Sequence, residues 1–336
     1  MRLLLLGGTG FLGSHLIHTL QDHTLSVFHR GKTRKDLPGV RHIFGERNKL
    51  TDYRTALQQF DPDLVIDVNP YTELQAEKVT DVFRGICRHF VVISSADVYR
   101  NYNGWRGKTD APPEQVPLSE DAPLRTQLYP YKNTNQNQPR WIEKYEKSLV
   151  ERVYQNSDTC SSVICRLPKL YGEGDTQHHI VPALRRMWDE RPYIVLSETL
   201  ADWKWSRCYA GNISQMITSI IRADTFEPAV YNLGPEKTLS EKNWLAKIAD
   251  VANWSGEIRT VAPDVIPDRS NPFHWEYNLE LDTSRFWQRF PETQILPLEA
   301  ALERSIRWEK KHTAGQFDSY YLDYTIEDEI IKKQEL

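Results

Sequence analysis

Cysteine is scarce. Four stand in 336 residues, at positions 87, 160, 165 and 208, with no C-x-x-C pair and no zinc-like spacing. That speaks against a disulfide-stapled secreted fold and a structural metal, and it reads as free thiols in a reducing cytoplasm. A surplus of positive charge is missing too: 42 Lys plus Arg face 46 Asp plus Glu, a net charge of −4. Such a chain has no general electrostatic hold on nucleic acid, and none is expected as a partner. Long apolar runs are absent. The run at the N-terminus is too short to span a bilayer and lacks both a signal-peptide core of adequate length and a cleavage site. No membrane partner is expected. Tryptophan, by contrast, is plentiful. Ten are present, mostly in the second half, where core filling is the expected role for most and lining a pocket the other.

What the chain does have begins at once. Leu3 to Leu6 is too short for a helix and suits a fully buried strand. Gly7, Gly10 and Gly13 follow in the order G-x-x-G-x-x-G, and Ser14 to Leu20 reads as a helix with Leu16, Ile17 and Leu20 on one face. Strand, glycine turn and helix make a dinucleotide-binding βα unit. One glycine allows the tight turn, one lets backbone N–H groups approach a pyrophosphate, and one lets helix and strand pack closely. The anion then sits at the positive helix end. The length allows a large core: a Rossmann doubly wound parallel sheet with a smaller C-terminal lobe.

Further strands are expected at Leu25–His29, Val40–Phe44, Leu64–Val68, Phe90–Ser94 and Ser162–Leu167, with helices at Asp52–Phe60, Leu74–Cys87, Ile180–Met187, Leu239–Ala252 and Ala300–Trp308. Ser240 is the expected N-cap of the fourth of these helices. The second strand ends in His29-Arg30-Gly31-Lys32, with no acid to bind a ribose 2′-hydroxyl. Arg30 and Lys32 favour a 2′-phosphate, hence NADP over NAD, unless both are merely solvated loop charges. Residues 100–140 are polar, rich in Pro, Asn and Gln and without a sustained period, which suggests a lid or substrate wall.

Four motifs occur in one order: GGTGFLG at 7–13, SSADVY at 94–99, RLPKLYGEGD at 166–175, and the Trp205 to Ile213 segment. Together they resemble the extended and atypical branches of the short-chain dehydrogenase/reductase superfamily, the NAD-dependent epimerase/dehydratase family, over about Met1 to Trp308. The resemblance implies an NAD(P)-dependent oxidoreductase, epimerase or dehydratase for a small polar or nucleotide-linked, sugar-like substrate. It assigns the cofactor to Gly7, Thr9, Gly10, Phe11, Leu12, Gly13, Glu46, Asn69, Pro70, Ser94, Lys147 and Leu167, beside Arg30 and Lys32. It implies Ser95 as catalytic hydroxyl, with Asp97 and Arg207 toward the substrate; for Arg207 a structural ion pair is the other reading.

The helix that carries Y-x-x-x-K in relatives reads Trp141-Ile-Glu-Lys-Tyr145-Glu-Lys147-Ser-Leu-Val-Glu151. Lys147 and Glu151 match, but Glu143 takes the tyrosine position, and Tyr145 lies nearly opposite Lys147 on a regular helix. Either the helix begins irregularly and Tyr145 is catalytic with Lys147, or the tyrosine chemistry is lost or passes to Tyr129 or Tyr131. Some atypical relatives keep the fold, lose the tyrosine and act as binding or regulatory proteins, RNA binders among them, which is the alternative function. The implied division is a dinucleotide-binding domain over 1–167 plus about 205–235, a substrate lobe over 168–204 plus 236–310, and a tail over 311–336. The tail is expected against the lobe or a partner chain, so a homodimer is open to it.

Overall fold

Leu3, Leu4, Leu5 and Leu6 are all fully buried because their strand lies between two others in the middle of a sheet. The structure is a computed structural model that describes residues 1–32, 37–133, 141–266, 273–313 and 324–334. Among them the strands are β1 (Arg2–Leu6), β2 (Thr24–His29), β3 (Val40–Phe44), β4 (Leu64–Asp67), β5 (His89–Ser95), β6 (Ser161–Leu167), β7 (Lys169–Tyr171), β8 (Tyr193–Ser197), β9 (Arg207–Tyr209), β10 (Ala229–Asn232) and β11 (Glu257–Val261). The helices are α1 (Phe11–Thr19), α2 (Arg54–Gln58), α3 (Glu73–Val82), α4 (Arg100–Trp105), α5 (Lys147–Gln155), α6 (Val181–Trp188), α7 (Glu198–Asp202), α8 (Ala210–Ile221), α9 (Glu241–Ala252), α10 (Ser284–Arg289), α11 (Leu298–His312) and α12 (Thr325–Gln334).

Seven strands form one parallel sheet in the order β3-β2-β1-β4-β5-β6-β10. This is the doubly wound order expected, reversing direction between β1 and β4. The two-residue period of β1 divides its leucines between two cores. Leu3 and Leu5 join Leu16 and Ile17 of α1 and Ile213 and Ile217 of α8. Leu4 and Leu6 join Leu57 of α2, Val79 and Val82 of α3, and Val150 and Tyr154 of α5. Burial on both faces is why the strand is a continuous leucine run, and each such side chain contributes about 1.5–3 kcal/mol. A third core gathers Tyr171, Leu184, Met187, Trp244, Ile248, Ala301 and Leu302 from β7, α6, α9 and α11.

Several expectations change in detail. The helix expected over Asp52–Phe60 is a 3-10 stretch, Arg47–Tyr53, followed by the short α2. The segment from residue 100, read as irregular, opens with α4, whose Tyr102 and Trp105 are buried against Trp203, Tyr277 and Leu279. These indoles fill a core. Residues 134–140 of that segment, 267–272 of the smaller lobe, and 314–323 and 335–336 of the tail lie outside the described residues. The tail's α12 lies against the α6 end, with Arg186 Nε 2.7 Å from a Glu327 oxygen and Tyr324 Oη donating to Asp189 at 2.6 Å. Ser240 caps α9 as expected, accepting from the Asn243 N–H. No helix among the described residues is long and apolar enough to cross a membrane.

Candidate active site

The glycine turn connects β1 to α1 at the edge of a cleft of about 310 Å³. Each glycine has a different environment. Gly7 has a φ of +95°, and a Cβ there would lie 2.1 Å from Asn69 Oδ1. At Gly13 a Cβ would lie 2.5 Å from the Gly8 carbonyl oxygen, so this glycine lets the helix approach the turn. A Cβ at Gly10 would meet nothing within 4 Å; it would project into open space. Gly10 is also the N-cap of α1 and supplies no side-chain acceptor, so the first amides of the helix have no side-chain cap. Asn69 Oδ1 is buried without a hydrogen-bond partner in the same wall. An uncapped helix start, open space at Gly10 and an orphaned amide oxygen fit a bound diphosphate and ribose.

Of the residues assigned to the cofactor, Gly7, Thr9, Gly10, Arg30, Lys32, Glu46 and Asn69 line this cleft. Arg30, Lys32 and Glu46 are exposed. Phe11, Leu12, Gly13, Pro70, Ser94, Lys147 and Leu167 do not line it. Leu12 and Pro70 are buried behind the wall, and Leu167 lies opposite Ser95 in the sheet. Ser94 gives its hydroxyl to Glu151 at 2.5 Å, and Arg166 holds the same carboxylate from 2.8 Å, so this set ties β5, β6 and α5 together.

At the end of β5, the Ser95 side chain accepts the Asp97 N–H at 3.2 Å. Opposite it the helix begins irregularly, one of the two courses that the sequence left open. A 3-10 turn over Ile142–Lys144 ends at Tyr145, whose backbone is extended (φ −65°, ψ 122°); Glu146 is extended as well, and α5 starts only at Lys147. The break leaves Tyr145 directed at Asp97. Tyr145 Oη donates to Asp97 Oδ2 at 2.8 Å, and Tyr131 Oη reaches the same oxygen at 3.1 Å. Tyr102 and Tyr131 share a further hydrogen bond of 2.8 Å. Lys147 Nζ donates to the Ile93 carbonyl at 2.7 Å and stands 5.3 Å from the centre of the Tyr71 ring. Burial pulls the Lys147 ammonium down to about 8. Burial and the neighbouring Asp97 hold the Tyr145 phenol well above its ordinary value, and burial raises Asp97 despite Arg125.

A model of the NAD dependent epimerase/dehydratase family matches residues 3–234, more than half of the chain. This chain belongs to that family. Among curated protein sequences none matches it. Solved structures resemble it at the level of the fold. The Bordetella bronchiseptica enzyme WbmG, in complex with NAD and UDP, is 17% identical with a TM-score of 0.68, covering 93% of this chain and 96% of that one. UDP-glucuronic acid 4-epimerase from Bacillus cereus, with UDP-glucuronic acid and NAD, is 16% identical with a TM-score of 0.66, covering 93% and 99%. dTDP-glucose 4,6-dehydratase from Bacillus anthracis, with NAD, is 13% identical with a TM-score of 0.66, covering 94% and 98%.

In this epimerase/dehydratase-family chain a second cleft, of about 220 Å³, opens in the smaller lobe between β7, β9, α6 and α9. Arg207 lines it, in an ion pair with Glu241 and 5.1 Å from the Trp244 ring centre. Lys169, its partner across the β7–β9 pair, also lines the cleft. Its ammonium sits 4.2 Å from the centre of the Trp205 ring and is pulled down to about 8 by burial and the nearby Arg207. His179 lines the same cleft and is held by Asp175 at 2.9 Å.

Sequence reasoning missed several groups of this site. Tyr71 and Trp141 stack at 4.3 Å in the cleft at Gly10, and Arg47 lines that cleft while paired at 2.6 Å with the fully buried Asp67. Arg125 holds Glu146 and gives its Nε to the Asp97 carbonyl at 2.7 Å. None of these has a local motif. Lys169 stood inside a quoted motif and was the one that a charge at a strand end could have revealed.

Proposed function

We propose that this family member is an NAD(P)-dependent epimerase, dehydratase or related oxidoreductase acting on a nucleotide-linked, sugar-like substrate. One observation carries the reading: Ser95, Tyr145, Asp97 and Lys147 converge at the end of β5, in the same sheet end as the Gly10 cleft. In an open parallel sheet, ligands bind outside the carboxyl ends of the strands at the point where strand order reverses.

The loop from Gly7 to Gly13 would hold the diphosphate through backbone amides, with Asn69 of the cleft wall, and Lys147 behind the Tyr71 ring of that wall, toward the riboses. Arg30 and Lys32, exposed on the cleft and without a facing acid on β2, support NADP over NAD. The solved relatives named above carry NAD, and Glu46 is the acid nearest in sequence that lines the cleft. Bound there, the nicotinamide supplies hydride transfer. The chain's own residues manage the proton. Ser95 would hydrogen-bond the substrate oxygen, and Tyr145 would take or return that oxygen's proton. Lys147, fixed by the Ile93 carbonyl, would steady the ribose side. In the smaller lobe, Lys169 and Arg207 supply positive charge for a phosphate or a sugar carboxylate, and the UDP and UDP-glucuronic acid in solved relatives support that substrate class.

The test is a panel of UDP- and dTDP-linked sugars incubated with the purified chain and NADP or NAD. Substrate conversion is followed by proton NMR and the reduced nicotinamide by absorbance. A product from at least one nucleotide sugar, and none from the free sugar, is expected. No turnover across the panel with either dinucleotide, from a chain that binds them, contradicts the substrate class.

A further inference from the structure

The geometry points to a different partner for Tyr145 than the lysine expected of it. We propose that Asp97 is the proton acceptor of this site and works through Tyr145. When a substrate hydroxyl gives its proton to Tyr145 Oη, the phenol's own proton passes to Asp97 Oδ2. The phenol stays neutral and the carboxylate becomes a carboxylic acid; the return step reverses both transfers. A nicotinamide dinucleotide bound at the Gly10 cleft would take the hydride that leaves the same substrate carbon. This inference rests on the function proposed above and names the destination of the proton within that site.

Tyr145 Oη donates to Asp97 Oδ2 at 2.8 Å, whereas Lys147 gives its hydrogen bond to the Ile93 carbonyl at 2.7 Å. A tyrosinate here would stand against a carboxylate in a buried site, two like charges at hydrogen-bond distance, which is costly. The resting pair therefore holds one shared proton and titrates as a unit. Asp97 is built to receive that proton. Its side chain is buried, and Oδ1 has no hydrogen-bond partner among the described residues. Its nearest cation, Arg125 Nη2, stands 4.0 Å away and is occupied by Glu146. Tyr131, whose ring packs edge to face on that of Tyr145 at 5.0 Å, donates to the same Oδ2 at 3.1 Å. The groups facing the pair are Arg125, Lys147, Tyr131, Tyr102 and Ser95, with Arg106 stacked on the Tyr131 ring. Their balance leaves Asp97 raised and Tyr145 well above its ordinary value, the order needed for a neutral phenol at rest.

The test is the ultraviolet absorption of tyrosinate in the full chain without cofactor, titrated from neutral pH to about pH 11, above the ordinary phenol value of about 10. Wild type minus Tyr145→Phe isolates one phenol. It should show no phenolate below about pH 10. In Asp97→Asn, the same difference, taken against Asp97→Asn/Tyr145→Phe, should move down by at least about one pH unit, because the carboxylate that opposes a phenolate at hydrogen-bond distance has gone. Two results overturn the proposal: a Tyr145 phenolate already present near neutral pH in wild type, or an unmoved titration in Asp97→Asn. If Asp97→Asn fails to fold, the wild-type comparison decides by itself. The titration uses neither dinucleotide nor substrate. A chain that binds no NADPH, yet behaves as stated, would sink the proposed function and leave the Tyr145–Asp97 pairing standing.

Discussion

Arg125 and Glu146 face each other with both guanidinium Nη atoms on both carboxylate oxygens, at 2.5 and 2.6 Å, and neither side chain has any exposure. The same carboxylate caps α5, accepting the Ser148 N–H at 3.1 Å, and it accepts the Tyr129 N–H at 2.7 Å. As the N-cap, Glu146 has extended backbone angles, φ −159° and ψ 95°. It ends the preceding turn, delays α5 to Lys147, and leaves Tyr145 directed at Asp97. One ion pair therefore converts a tyrosine two residues from the lysine into a neighbour of the Ser95 strand end.

Removing one partner leaves a buried, unpaired charge. Arg125→Met should destabilise the fold by about 3–5 kcal/mol, read as a lower urea midpoint with an unchanged slope. A loss under about 1 kcal/mol would mean that water reaches Glu146.

Gly13 is a packing residue and Gly10 is not. Gly13→Ala places a methyl 2.5 Å from the Gly8 carbonyl oxygen, and α1 must move away from the turn. It should cost about 1–3 kcal/mol in thermal or urea unfolding without any ligand present. A Gly13→Ala protein as stable as wild type would contradict the close helix–turn contact.

Much of this was legible in the sequence, for physical reasons. The strand positions of β1 to β6 follow from short buried apolar runs and glycine turns, both local signals. What was not legible depends on partners distant in the chain. Arg125 lies 21 residues before Glu146, and Glu is not a usual N-cap, so nothing local marked residue 146 as the end of one turn and the start of another. Tyr131 sat in a polar segment without a period, and only the fold brings it 3.1 Å from Asp97. Arg207 carried two readings. Its ion pair is with Glu241, and the same side chain lines the second cleft.

Arg30 tests cofactor choice. Arg30→Glu should weaken NADPH binding by about 1–3 kcal/mol, the scale of a lost charge-assisted hydrogen bond, with NADH affected less. Fluorescence titration of both dinucleotides reads the ratio. An unmoved ratio would make Arg30 a solvated surface charge.

Lys147 should leave a pH signature on stability. Its folded value, about 8, lies below the ordinary 10.5, so the unfolded chain binds more protons between those values and folding gains as pH rises through that window. Below about pH 8 the full burial penalty, about 3 kcal/mol, is present; above about pH 10 it has gone. Wild type should therefore gain stability relative to Lys147→Met from near pH 8 to near pH 10, measured by urea unfolding at each pH. A difference that stays constant across the window would show that Lys147 is not desolvated.

The central claim is that the cleft at Gly10 holds a nicotinamide dinucleotide, and direct binding tests it. NADPH is titrated into wild type and Gly10→Val, following reduced-nicotinamide fluorescence and the quenching of Trp141, which lines the same cleft. Gly10 has an ordinary φ of −85° and open space beyond it, so the variant should keep the wild-type melting temperature. Saturable NADPH binding to wild type, lost in an equally stable Gly10→Val, is the predicted result. Wild-type protein that binds neither NADPH nor NADH, or a Gly10→Val variant that binds NADPH as tightly as wild type, would contradict it.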